Sequence, residues 1–207
     1  MSVHLFYPLW LRLWHWVNAI CFIILMITGT SMHFADPGTP QLDFRTARIL
    51  HNSGALIIMI GYAVYLVGNL VGRNGEFYRL RKGDLPGGVL KQARYYLVGI
   101  FRGEPHPFPH TEESKFNPAQ KIAYATVMYI LFPLLTLSGV MLFLPEQAPD
   151  RVQVLTTSFS GVSFYAFLHT IVGYLLSLFM VVHIYLGTTG ATVTELYRAM
   201  LTGSKSA

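Results

Sequence analysis

The chain has 207 residues, of which 53% are hydrophobic and only 12% are charged. That charged fraction is about half the average for soluble domains, and the mean hydropathy is +0.44. The composition therefore excludes an ordinary soluble domain and predicts an integral membrane protein. A net charge of +5 is compatible with nucleic-acid binding, but the basic residues lie between the apolar segments. We therefore predict contact with membrane lipid and no nucleic-acid partner.

Four uncharged stretches are each long enough to cross a hydrocarbon core, which needs about 20 apolar residues. They are residues 13–31, 52–72, 122–145 and 164–189. We predict an all-α membrane protein in which residues 1–207 form a single domain, a four-helix transmembrane bundle. Its expected spans are about 10–33, 44–72, 118–145 and 163–190. The first span is too long for the apolar core of a cleaved signal peptide, and we predict a retained helix.

Local signals refine these elements in chain order. Asp43 is placed to cap the second helix, which then begins before its uncharged part. The connection 73–117 contains apolar residues at helical spacing between 86 and 101, which predicts a short helix on the cytoplasmic membrane surface, with an irregular loop as the alternative. Pro133 lies inside the third span and predicts a kink or a local loosening there.

The distribution of Lys and Arg predicts the orientation. One side of the membrane receives twelve of them: Arg12, nine between Arg73 and Lys121, Arg198 and Lys205. The other side receives only Arg45, Arg48 and Arg151. The positive-inside rule then places both termini and the 73–117 connection in the cytoplasm.

Ionisable residues within membrane spans are costly and usually functional, and the spans contain four histidines. His15 lies near the cytoplasmic start of the first helix, and His51 near the outer start of the second. The fourth helix carries His169 towards the outside and His183 towards the inside. Two ligands of one iron must lie at the same depth, which pairs His51 with His169 and His15 with His183. Over the separation of 14 residues the helix rises about 21 Å and turns to within about 40° of the same direction.

These pairs predict two b-type haems stacked across the bilayer. Haem iron accepts neutral imidazole as an axial ligand, and helix bundles commonly hold such sites. A lone membrane histidine more often has a structural hydrogen bond, but four in two depth-matched pairs favour haem. The single cysteine, Cys21, excludes a cysteine-ligated cluster, and the spans lack the carboxylates that a zinc site would need. His33, at the edge of the first span, is assigned no ligand role.

Arginines and glycines around these histidines are compatible with haem. Arg12 and Arg48 each precede a proposed ligand by three residues, where a guanidinium can meet haem propionates. Ordinary interfacial arginines are an equally good explanation. The glycines leave room either for a porphyrin or for close helix packing; they are Gly54, Gly61, Gly68, Gly173 and Gly187.

Four motifs carry a resemblance to a known family: RLWHW at 12–16, RILH at 48–51, KFNPAQK at 115–121 and LHTIVGYLLSLFMVVHIY at 168–185. They resemble the di-haem cytochrome b subunits of membrane-bound formate dehydrogenase, thiosulfate reductase and nickel–iron hydrogenase. The resemblance covers nearly the whole chain. It implies a protein of the bacterial inner membrane with two haem b groups, and it places the ligands on the same four histidines.

The resemblance also implies a redox partner on each side. It places contacts to menaquinone or ubiquinone at Asn117 and Gln120, whose amides can donate to quinone carbonyls. Capping of the third helix is the alternative role of Asn117. Pro118 departs from the small residue that often follows this Asn in the family. The expected periplasmic partner is an iron–sulfur, molybdenum or multihaem cytochrome subunit, which would carry out the substrate chemistry.

The predicted function is electron transfer between the quinone pool and that periplasmic oxidoreductase. Two alternatives come from other classes of protein. The first is a stand-alone quinone-linked oxidase of a small oxidant such as superoxide. The second is a haem-free transporter that uses its membrane histidines as proton relays.

Overall fold

The computed structural model of the chain describes residues 7–35, 42–109, 111, 114–147, 149–154, 157–190 and 192–204. Four of its helices are long and apolar enough to cross a membrane: Leu9–His33, Phe44–Val71, Pro118–Phe143 and Gly161–Gly187. Each begins within two residues and ends within three residues of the predicted span. The many exposed aliphatic side chains along them, such as Ile27 and Leu178, suit a lipid environment, where no hydrophobic burial is needed.

Seven α-helices are present in the described part of the chain. They are α1 (Leu9–His33), α2 (Phe44–Val71), α3 (Gly87–Arg94), α4 (Pro118–Thr126), α5 (Phe132–Phe143), α6 (Gly161–Gly187) and α7 (Glu195–Thr202). A π-helical turn, Val127–Leu131, joins α4 to α5, and short 3-10 turns occupy Arg73–Tyr78 and Pro145–Gln147. The strands in the described residues are those of a small antiparallel hairpin, β1 (Arg151–Val154) and β2 (Thr157–Ser160). The fold is thus helical apart from this hairpin, which the sequence analysis did not predict.

The chain divides into two compact units. The first unit, residues 1–66 and 134–207, contains α1, most of α2, nearly all of α5, the hairpin, α6 and α7. The second unit, residues 67–133, contains α3, α4 and the turns around them. All four histidines of the predicted sites belong to the first unit.

Polar side chains fix where several helices begin. The Asp43 carboxylate accepts hydrogen bonds from the Thr46 N–H at 3.0 Å and the Thr46 hydroxyl at 3.1 Å, so the predicted cap of α2 is confirmed. Ser160 caps α6 by accepting from the Ser163 N–H at 3.2 Å. These contacts satisfy N–H groups that have no partner inside their own helix.

The π-helical turn Val127–Leu131 ends two residues before Pro133. Proline has no N–H, and in a regular helix its ring collides with the carbonyl four residues earlier, here that of Tyr129. A wider turn relieves that collision. The predicted local loosening of the third span is therefore confirmed.

The second unit contains a helical stretch where a surface helix was predicted. Helix α3 continues through a π-helical segment, Tyr95–Gly99, into a 3-10 turn, Ile100–Arg102. Its exposed apolar side chains include Leu90, Leu97 and Phe101. They give the stretch an apolar face that suits a membrane surface, and its location there stays a prediction.

Candidate haem-binding sites

The members of each predicted histidine pair lie close together in the first unit. His15 of α1 and His183 of α6 have ring centroids 6.1 Å apart. His51 of α2 and His169 of α6 have ring centroids 6.2 Å apart. We refer to them as the inner pair (His15/His183) and the outer pair (His51/His169). Helix α6 contributes one member of each pair, as its spacing of 14 residues predicted.

These separations match a single metal bound between two imidazoles. A metal–imidazole bond is about 2 Å long, and each ring centre lies about 1 Å beyond its nitrogen, so two axial ligands place their centroids about 6 Å apart. Within the part of the chain that the structure describes, no group of three or more His, Cys, Asp or Glu residues could hold a metal ion. Two ligands are too few for a zinc site, but they suffice for a haem, whose porphyrin supplies the other four nitrogens.

The outer pair is held by hydroxyl groups on neighbouring helices. Thr28 Oγ1 of α1 lies 3.0 Å from His51 Nδ1. Ser138 Oγ of α5 lies 3.1 Å from His169 Nδ1, and the Leu135 carbonyl lies 3.2 Å from the same nitrogen. Thr28 is 1% exposed and Ser138 is fully buried. Hydrogen bonds at Nδ1 leave Nε2 as the nitrogen available to a metal.

Glycines lie beside the same two rings. A Cβ built on Gly29 would come within 3.3 Å of His51 Cε1, and one on Gly139 within 3.1 Å of His169 Cε1. Both distances are tighter than ordinary carbon contacts, so each ring uses the space that the absent side chain leaves. The sequence analysis did not identify Thr28, Gly29, Ser138 or Gly139.

The inner pair has different surroundings. His15 Nδ1 is buried and has no hydrogen-bond partner among the described residues. The His15 ring meets Trp16 edge-on at 5.2 Å, and His183 stacks on Phe179 at 5.6 Å. Aromatic contacts therefore orient these rings.

The arginines that were proposed to meet propionates differ in their contacts. Arg12 donates a hydrogen bond from Nη1 to the Leu201 carbonyl of α7, while its buried Nε has no partner in the described structure. Arg12 thus caps α7 and keeps a donor for an anionic group. Arg48 is exposed, one helical turn before His51. Propionate contacts of both residues stay predictions.

Asn117 and Gln120 form a reciprocal capping box at the start of α4. Asn117 Oδ1 accepts from the Gln120 N–H at 3.0 Å, and Gln120 Oε1 accepts from the Asn117 N–H at 3.1 Å. Asn117 Nδ2 donates to the Tyr96 hydroxyl at 2.9 Å. The capping role is therefore confirmed, and Pro118 occupies the first helical position that proline favours.

Three of the glycines that were considered for a porphyrin serve close packing. A Cβ on Gly61 would come within 3.0 Å of Asn18, one on Gly54 within 3.5 Å of Leu25, and one on Gly187 within 2.9 Å of Tyr197. A Cβ on Gly173 meets nothing within 4 Å. Only Gly173, of these four, has open space beside it.

Four membrane-length helices and two histidine pairs define a class of multi-pass membrane proteins in which one helix contributes a histidine to each of two sites. Residues 6–203 match the family model described as prokaryotic cytochrome b561, and the chain belongs to this family. It is 37% identical over 193 residues to cytochrome YdhU of Escherichia coli (strain K12), covering 93% of this chain and 70% of that protein. It is 25% identical over 206 residues to the cytochrome b556(fdo) subunit of formate dehydrogenase from the same organism, covering 93% and 83%.

Family membership confirms the coarser predictions. The chain is a cytochrome b of electron transport, and b-type haem is the cofactor that this family implies. Together with its four apolar helices, the family makes it a multi-pass protein of the inner membrane.

Proposed function

We propose that this chain is a di-haem cytochrome b subunit that anchors a periplasmic oxidoreductase and transfers electrons between it and the quinone pool. The observation that carries the proposal is the pair of histidine sites, with ring centroids 6.1 and 6.2 Å apart, in a member of a cytochrome b family. Bound haem iron supplies one-electron oxidation and reduction. The chain's own residues hold and orient it.

Each pair of histidines would hold the iron of one haem b in this proposal. His51 and His169 form the outer site, and His15 and His183 the inner site. Arg12 lies on α1 three residues before His15, and its buried Nε has no hydrogen-bond partner among the described residues. This supports a contact with a propionate, because a buried guanidinium donor without an acceptor is costly. Exposed Arg48 takes the same role for the outer site.

The proposed partner is a periplasmic iron–sulfur, molybdenum or multihaem cytochrome subunit. Support comes from the relative that is named as a subunit of formate dehydrogenase. Such a partner carries out the substrate chemistry and exchanges electrons with the outer site. The orientation with both termini in the cytoplasm, predicted from the basic residues, puts the outer pair on the partner's side.

The haem sites are tested by a reduced-minus-oxidised spectrum and pyridine-haemochrome quantitation of the purified protein. We expect two haems per chain, and one each in His51→Ala and His183→Ala. His33→Ala is the matched control, since its ring contacts Phe34 and Tyr174. A colourless wild-type protein would refute the proposal and favour the transporter. A lone chain that oxidises quinol with superoxide would favour the oxidase instead.

For the quinone we propose contacts to menaquinone or ubiquinone from the side-chain amides of Asn117 and Gln120. The capping box dictates how to test this, because alanine at either position also removes a cap. Asn117→Asp and Gln120→Glu keep the oxygens that accept backbone N–H groups. They remove the amide donors, including the one that Asn117 gives to the Tyr96 hydroxyl, and each places a carboxylate at a buried position. Loss of one hydrogen bond to the quinone costs about 1.4 kcal/mol, which is about tenfold in affinity.

The measurement is the rate of haem reduction by quinol in membrane vesicles at low quinol concentration. We expect about tenfold slower reduction in each variant, with the haem content unchanged. Lys82→Met, an exposed change in the same unit, is the control. Normal rates in both amide variants would show that these residues only cap α4.

A further inference from the structure

The outer pair has a local arrangement that occurs twice. Thr28–Gly29 on α1 faces His51, and Ser138–Gly139 on α5 faces His169. We call these the hydroxyl–glycine dipeptides. Resting on the proposed function, we infer that they fix the tautomer and orientation of both outer ligands and hold the potential of the outer haem below the value it would have without them.

The hydroxyl groups determine which ring nitrogen is protonated. The Thr28 hydroxyl lies 2.7 Å from the Ile24 carbonyl, and a carbonyl only accepts, so the single hydroxyl proton points there. Towards His51 Nδ1 the same oxygen is then an acceptor, and Nδ1 carries the ring proton. Nε2 keeps its lone pair for iron.

Ser138 repeats this geometry against the other outer ligand. Its hydroxyl lies 2.8 Å from the Leu134 carbonyl and 2.9 Å from that of Leu135. The Leu135 carbonyl also lies 3.2 Å from His169 Nδ1. Two acceptors therefore face this nitrogen, and it must be the protonated one.

The glycines determine how closely each ring approaches its hydroxyl. At Gly139 an added Cβ would lie 3.1 Å from His169 Cε1, and at Gly29 it would lie 3.3 Å from His51 Cε1. A side chain at either position would displace the ring edge that lies next to Nδ1. Each dipeptide thus combines a hydrogen-bond acceptor with the space that lets the ring reach it.

The hydrogen bonds donated by the Nδ1–H groups of the outer histidines affect the potential of a bound haem iron. An imidazole that donates from Nδ1 becomes a stronger electron donor at Nε2, which stabilises ferric over ferrous iron and lowers the haem potential. Both outer ligands have such acceptors, whereas His15 Nδ1 of the inner pair has no partner among the described residues. The dipeptides therefore act selectively on the outer site.

The test is a spectroelectrochemical titration of the purified holoprotein with both haems resolved. Thr28→Val keeps the shape and removes the hydroxyl acceptor of His51. Ser138→Ala removes the hydroxyl acceptor of His169 and leaves the Leu135 carbonyl in place. We expect each to shift the outer midpoint potential upwards and leave the inner one unchanged. Thr28→Ser keeps the hydroxyl and should therefore keep the wild-type midpoint potential of the outer haem. Thr30→Val on α1 and Ser177→Ala, whose hydroxyl donates to the Gly173 carbonyl at 2.8 Å, are the matched controls.

Each outcome bears on the inference. If Thr28→Val loses the outer haem while Thr28→Ser and Thr30→Val retain it, the hydroxyl positions the ligand as inferred. Two retained haems with an unmoved outer potential in both variants would overturn the inference and leave the haem sites intact. A wild-type protein without haem would instead refute the proposed function, so the two failures are distinguishable.

Discussion

Asp84 and Lys121 form a buried ion pair within the second unit, with Lys121 Nζ 2.9 Å from Asp84 Oδ2. The Lys121 side chain is 4% exposed and the Asp84 side chain 12%. The carboxylate also accepts from the Arg81 N–H at 2.7 Å. Removing one partner of a buried pair leaves an uncompensated charge. We expect Lys121→Met to reduce the free energy of unfolding by about 3 kcal/mol, the low end for such pairs because part of Asp84 reaches solvent.

Thermal unfolding in detergent at neutral pH measures this loss. Lys82→Met makes the same charge change at an exposed position and should shift the unfolding temperature little, since surface charges contribute at most about 1 kcal/mol. Equal effects of the two substitutions would mean that the pair contributes nothing beyond net charge.

The same carboxylate predicts an acid dependence of stability. Burial alone would raise the pKa of Asp84, but hydrogen bonds from the Arg81 N–H and the Lys121 ammonium outweigh it and hold that pKa below its ordinary value. A carboxyl group whose pKa is lowered by folding stabilises the folded state at pH values above its unfolded-state pKa, which is about 3.9. This stabilisation is lost as the pH falls through the folded-state pKa. The wild type should therefore lose more stability below about pH 4 than Asp84→Asn does.

At the scale of single residues, the sequence analysis identified the site residues whose side chains are unusual for a membrane span. Four histidines in apolar spans stand out, and depth was enough to pair them. Thr28 and Ser138 do not stand out, because hydroxyls that bond a carbonyl one turn back are common in membrane helices. Only the contact across helices distinguishes them. A signal was nevertheless present: Thr–Gly and Ser–Gly occur at 28–29 and 138–139 in two different spans.

Helix α7 illustrates an element that the sequence analysis missed. Its eight residues are too few for a confident periodic pattern, and its position depends on contacts with distant residues. Arg12 and Trp16 of α1 donate to its last carbonyls, those of Leu201 and Met200. Hydropathy alone predicts long spans well, because lipid demands about 20 apolar residues, but it carries no information on such tertiary capping.

The packing of α7 on α6 yields a prediction at Gly187. The Tyr197 hydroxyl donates to the Ile184 carbonyl at 2.6 Å, and a Cβ on Gly187 would lie 2.9 Å from the Tyr197 ring. Gly187→Ala should displace Tyr197 and break this bond, and Tyr197→Phe removes the bond alone. A lost hydrogen bond of about 1 kcal/mol makes local opening of α7 about fivefold more frequent.

Limited trypsin digestion after Arg198, within α7, measures that opening. Both variants should be cleaved about fivefold faster than the wild type under conditions where opening precedes cleavage. Tyr185→Phe removes a hydroxyl from a half-exposed side chain of α6 and serves as the control. Unchanged cleavage in Gly187→Ala would show that Tyr197 does not hold α7 in place.

At the scale of the whole molecule, the asymmetry of basic residues predicts an orientation that decides which pair of histidines faces the periplasm. Twelve Lys and Arg residues against three favour cytoplasmic termini. In a Cys21→Ser background, Asp150→Cys, just before β1, should react with a membrane-impermeant maleimide in intact spheroplasts. Leu201→Cys on α7, whose side chain is 60% exposed, should react only after permeabilisation. The reverse result would place His51 and His169 towards the cytoplasm, and a periplasmic partner would then have to exchange electrons with the His15/His183 site.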